Sequence, residues 1–191
     1  MENFVLTWFN AFVHPKETFA KEKQKASFFI GLIYFLVAFF VFELIEGMKL
    51  SLTTSPVLSG VIAVFVWMLV IFFILLAIWQ GVLFLLVKLS GRKTKIKEQF
   101  YLISLYFTPL LLLFALVRFP LELLGDKMFG ILTYFLQFIV FLYSLYLLAL
   151  ALEEVYGYTK PNAFFTGFLS LVITLMLTIV PVIIIVILTS M

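Results

Sequence analysis

The amino-acid sequence predicts an all-α fold: a polytopic membrane helix bundle with five transmembrane helices and an N-terminal interfacial amphipathic helix. Three observations predict it. First, 65% of the 191 residues are hydrophobic and only 12% are charged, against roughly half and a quarter in soluble domains. A soluble chain of this size cannot hide so much apolar surface in one core. Second, the apolar residues fall in long continuous runs, whereas barrel strands would be pieces of about ten residues with alternating polarity. Third, the basic residues concentrate in alternate inter-run segments, as the positive-inside rule requires of a multi-pass protein. The chain reads as a single membrane domain over residues 1–191.

The chain opens with ENFVLTWFNAFV, residues 2–13. Phe4, Trp8 and Phe12 recur every four residues, Val5 and Phe9 widen that face, and Asn3, Thr7 and Asn10 form a narrow polar stripe. This spacing predicts a short helix lying in the membrane interface, with Trp8 at headgroup depth. His14 precedes Pro15, and a residue before proline is biased away from helix, so the first helix should stop there. His14 reads as an interfacial residue at that elbow. Pro15 suits the first turn of a new helix. That helix is expected to run through Phe19 and Ala26 straight into the first span. Lys16, Lys21, Lys23 and Lys25 would then sit at the headgroups, each contributing about 1 kcal/mol against anionic lipid. The segment does not read as a cleaved signal peptide, because it is long, holds acidic residues, and no A-x-A-like site follows the first apolar run.

A helix needs about 20 apolar residues to cross the hydrocarbon core. Five runs qualify: Phe28–Gly47, Val57–Val87, Phe100–Val117, Met128–Leu152 and Ala163–Thr189. Ser55-Pro56 supplies an N-cap and a first-turn proline for the second run. At roughly 46 Å, that run must tilt, protrude or bend. Pro109 and Pro181 fall inside spans and should bend them. Thr108 and Thr178 are expected to help satisfy the freed carbonyls.

Charge orients the bundle. Lys16, Lys21, Lys23, Lys25, Lys88, Arg92, Lys93, Lys95, Lys97 and Lys160 fall on one side; only Lys49, Arg118 and Lys127 fall on the other. The excess predicts a cytoplasmic N-terminus and, with five spans, an outside C-terminus. The expected location is the cell membrane.

Ionisable residues inside spans are costly and point to function. Glu43 and Glu46 lie three apart on one face near the outer end of the first span. They form either a carboxylate pair on a cation or proton path, or a wet pair near the outer headgroups, with Glu46 reaching Lys49 or Arg118. The shallow position favours the wet pair. Gln80 and Gln137 lie deeper, where amides usually bond between helices. Thr166, Ser170, Thr174 and Thr178, with Ala163 and Gly167, form a stripe on the fifth span that reads as a packing face; a substrate pathway is the alternative.

Most enzyme chemistry is missing. There is no cysteine and one histidine, so neither the usual zinc site nor a thiolate nucleophile is available. No H-E-x-x-H, G-x-S-x-G, P-loop or G-x-G-x-x-G occurs. Glu153 and Glu154 are adjacent and point about 100° apart on a helix. No catalytic residue, cofactor or metal is expected. A net charge of +3 does not suggest nucleic acid. Five spans cannot divide into equal inverted halves, which weighs against a secondary transporter.

The segments HPKETF at 14–19, GRKTKIKEQFYLISLYFTP at 91–109 and ALEEVYGYTKPNAF at 151–164 resemble the Yip-domain family of five-span membrane proteins, in the branch found in prokaryotes. The resemblance covers most of the chain. It implies the same topology and no catalytic residue or cofactor. Eukaryotic members are implicated in vesicle traffic and associate with prenylated Rab-type GTPases and with each other. This chain lacks the D-L-Y-G-P signature found before their first span and has a shorter N-terminal segment, which argues against binding a small GTPase.

The expected function is a non-catalytic integral membrane protein. It would organise partner proteins or lipids at the cytoplasmic membrane face, with a relation to membrane trafficking or organisation. Its candidate lipid or partner contacts are Trp8, Lys16, Lys21, Lys23, Lys25, Arg92, Lys93, Lys95 and Lys97. Expected partners are membrane lipids and another membrane protein or a second copy. The alternative is a small permease or channel using Glu43, Glu46 and Gln80. An intramembrane enzyme ranks third.

Overall fold

The computed structural model describes the backbone of residues 4–53, 58–123 and 127–190, and the side chains of 5–45, 65–117, 130–181 and 183. The described residues form seven α-helices and no strand: α1 Phe4–Val13, α2 Pro15–Lys23, α3 Phe28–Thr53, α4 Leu58–Leu89, α5 Ile96–Leu123, α6 Lys127–Tyr156 and α7 Lys160–Ser190. The last five are long and apolar enough to cross a membrane. Ser55-Pro56, and the side chains of Phe4, Glu46, Lys49, Arg118 and Lys127, lie outside the described residues.

The spans extend past the apolar runs at one end of the bundle. α5 begins at Ile96 rather than Phe100, and α6 continues to Tyr156. Glycines set two of these ends. Gly91 has φ 74°; its N–H donates to Lys88 O, and Arg92 N–H donates back to Val87 O at 3.3 Å. That is a left-handed C-terminal cap, which glycine adopts without steric cost. Gly157, φ 65°, closes α6 with its N–H on Glu153 O at 2.8 Å.

The elbow at His14 forms as expected, with α1 ending at Val13 and Pro15 opening α2. The continuous helix from Pro15 into the first span does not form. α2 stops at Lys23, and a turn at 24–27 separates it from α3. Two local causes are visible. Ser27 Oγ accepts from Ile30 N–H at 3.5 Å and Ser27 O from Gly31 N–H, starting a fresh helix. In addition, α2 buries Thr18, Phe19 and Glu22, a face that must dock sideways against the bundle and cannot also continue along the α3 axis.

α5 is the hub. It packs most extensively on α3 and α6 and also touches α1 and α2, whereas α4 rests mainly on α7. At Gly31, α3 comes so close to α5 that a Cβ would lie 2.9 Å from Phe100 Cδ1. The buried core gathers around residues 100–106 of α5 and 145–156 of α6, with Phe19 and Ala11 closing it from α2 and α1. Among the described residues it therefore sits toward the end that carries the N-terminal helices and the basic loop.

Two expected carbonyl rescues are not made. Pro181 frees Leu177 O, yet Thr178 Oγ donates to Thr174 O at 3.0 Å and Leu175 O at 3.1 Å. A helical hydroxyl reaches back three or four residues along its own chain, so it cannot serve the carbonyl beside it. Thr108 Oγ is buried with no partner among the described residues.

Candidate functional site

The basic end is a polar platform built from three segments far apart in sequence. α2 contributes first. Lys23 Nζ donates to Glu154 O at 2.5 Å and to Glu154 Oε1 at 3.3 Å, tying α2 to the last turn of α6. Beside it, Glu22 is buried. Its carboxylate accepts from Tyr101 Oη at 2.8 Å and from Lys25 Nζ at 3.5 Å. A buried carboxylate stripped of such partners would be strongly destabilising.

The α4–α5 loop contributes next. The Arg92 guanidinium donates to Tyr156 O and lies 4.3 Å from the centroid of the Tyr158 ring, a cation–π geometry. The hydroxyls of Ser90 and Tyr158 share a hydrogen bond of 2.5 Å. Lys95 N–H donates to Tyr156 Oη at 3.3 Å. That hydroxyl donates in turn to Gln99 Oε1 at 2.7 Å, and Gln99 Nε2 donates to Gln80 Oε1 at 2.7 Å. A polar chain thus leads from the loop through α6 and α5 to α4. Between α2, the loop and the end of α6 lies a hollow of about 420 Å³ lined by Lys23, Arg92, Lys93, Lys95 and Glu154.

Of the residues singled out from sequence, Lys23, Arg92, Lys93 and Lys95 meet at this hollow. Lys16, Lys21, Lys25 and Lys97 are exposed elsewhere on the chain. Trp8 is turned inward, half-buried, with its ring edge-on to Tyr34 at 5.5 Å. Phe12 meets Tyr143 at 5.0 Å. The outward face of α1 is Val5, Leu6, Phe9 and Val13, so the broad apolar face is split between bundle and surroundings. Gln80 makes the inter-helix bond its type favours and belongs to the polar chain of the basic end. Glu43 is half-buried on α3.

Sequence reasoning missed Glu22, Tyr101, Gln99 and the pairing role of Glu154. A signal existed for Glu22, an acid inside a lysine run on a helix whose other inward positions are Thr18 and Phe19. For Tyr101 and Gln99 none existed, because only the approach of α2 and α4 gives their polar atoms partners.

A second concavity, of about 670 Å³, lies deeper, between α4, α5, α6 and α7. Phe72, Trp79, Phe107, Phe141 and Leu171 dominate its wall, with Ser144, Thr174 and Thr178 as minor polar points. No described residue of the wall is charged. The hydroxyl stripe on α7 is satisfied locally. Ser170 Oγ donates to Gly167 O at 2.7 Å and accepts from Trp79 Nε1 at 3.2 Å, and Thr174 Oγ donates to Ser170 O at 2.7 Å. Gly167 lets α6 approach, since a Cβ there would meet Leu148 Cδ2 at 3.0 Å. At Ser170 and Gly167 the stripe packs toward α4 and α6, whereas Thr174 and Thr178 line the concavity.

Five apolar crossing helices around a compact, polar-capped core define a multi-pass helical membrane protein. The chain belongs to the Yip1 domain family, whose model matches residues 9–187. The family resemblance carried by the segments at 14–19, 91–109 and 151–164 is thereby established. No curated protein and no solved structure matches the chain.

Proposed function

We propose that this protein is a non-catalytic organiser of the cell membrane, gathering lipids and partner membrane proteins on its basic end, which faces the cytoplasm. One observation carries the proposal: α2, the α4–α5 loop and the end of α6 are bonded into one platform through Lys23–Glu154, Arg92–Tyr156 and Ser90–Tyr158. Loops that merely respond to topology need no such mutual bonding. A preorganised charged surface lowers the ordering cost of binding. Ten of the thirteen basic residues lie on this side by sequence, which supports the cytoplasmic orientation.

The test has two parts. The chain has no cysteine, so Lys97→Cys gives a unique thiol that a membrane-impermeant maleimide should reach only from the cytoplasmic side. Replacing Lys93, Lys95 and Lys97 together by Gln should weaken association with anionic lipid by about tenfold or more. Unchanged lipid association would sink the lipid role, and labelling from outside would reverse the orientation.

A further inference from the structure

The charges lining the hollow at the basic end do not balance. Lys23 is paired with Glu154 at 3.3 Å, and Lys95 with Glu98 at 3.6 Å. Arg92 and Lys93 have no carboxylate partner among the described residues. Arg92 is nevertheless held in place, by the carbonyl of Tyr156 on one side and the ring of Tyr158 on the other. A cation fixed by neutral groups keeps its full charge and loses little freedom when an anion arrives. Lys93 lines the same hollow and makes no bond among the described residues. Two adjacent uncompensated cations at the wall of a concave site favour one compact anion with several acceptor oxygens.

We propose that this hollow binds the phosphate of an anionic lipid headgroup. The lipid is favoured over a soluble phosphate by the depth of the hollow. Its walls are the last turn of α6 and the loop before α5, where the spans end and begin. Leu89 and Ile96, flanking the loop, are strongly exposed, at 82% and 46%, which suits contact with acyl chains beside the headgroup. The proposal rests on the platform reading for the position of this end at headgroup depth, and adds a single discrete site to a diffuse surface.

Two variants separate a site from a field. Lys93→Gln and Lys97→Gln each remove one positive charge from the same end, but only Lys93 lines the hollow. The full chain is placed in phosphatidylcholine nanodiscs doped with phosphatidylglycerol, and retention of the anionic lipid is measured by native mass spectrometry. Lys93→Gln should weaken retention about tenfold, and Lys97→Gln less than about twofold. The gap should persist at about 0.5 M salt, where diffuse attraction is screened. Since Lys93 has no bond to lose among the described residues, its variant should melt with the wild type. Equal weakening by both variants would overturn the site and leave the platform reading standing. No weakening by either would sink both. In nanodiscs of phosphatidylcholine alone, inorganic phosphate should not raise Tm; a rise abolished by Lys93→Gln would assign the hollow to soluble phosphate and overturn the lipid assignment.

Discussion

α4 and α5 follow one another in sequence, joined by a short basic loop, and both are long apolar helices, yet they occupy different solvents. The α4 span is the more hydrophobic of the two and is 17% buried; the α5 span is 56% buried. Trp67, Ile74 and Leu85 of α4 are largely exposed, whereas Leu102, Ile103 and Leu105 of α5 are fully enclosed. α5 also carries the buried polar residues Gln99, Ser104 and Thr108. In water the order would be reversed. In a bilayer, lipid tails are as apolar as leucine, so hydrophobicity does not separate core from surroundings. What earns a helix the centre is polar groups that need partners and shapes that interlock.

Three substitutions test this contrast, in decreasing order of effect. Tyr106→Ala on α5 removes a fully buried ring that packs on Phe19 at 6.1 Å. Cavity and dispersion losses should cost roughly 3 kcal/mol, read as a lowered midpoint in reversible detergent-denaturant unfolding. Gln99→Leu breaks the chain from Tyr156 to Gln80 while keeping apolar bulk. It should cost about 1 kcal/mol by the same assay, in line with measured inter-helix bonds in membranes. Ile74→Ala on α4, at a position 53% exposed, should change the midpoint by less than about 0.5 kcal/mol, because lipid fills the space. If Ile74→Ala matched Tyr106→Ala, the exposed face of α4 would be an interface and not a lipid contact.

The five crossing helices were legible because each apolar run is long enough to cross the hydrocarbon core, and the α1–α2 elbow because proline removes a donor and restricts its neighbour. The grouping of Lys23 with Arg92 was legible as a shared side through charge counting, though not as a shared hollow. The break at 24–27 was hidden. Ser27 offers a local start signal, but local propensity also permits continuation there, and the docking of Thr18, Phe19 and Glu22 against α5 and α6 tips the balance to separation. The inward turn of Trp8 was hidden for a related reason. A helical face of aromatics looks the same whether it meets lipid or the Tyr34 ring.

The sequence by itself determined that this chain lives in lipid, how often it crosses, and which ends carry charge, since length, hydropathy and charge act residue by residue against the bilayer. Close packing decided which helix is central, that Glu22 finds Tyr101, and that Arg92 is held beside Lys93, which has no partner among the described residues. Those outcomes depend on close approach between segments remote in the chain. Within a uniformly apolar solvent, only packing shape and polar pairing distinguish one arrangement of helices from another.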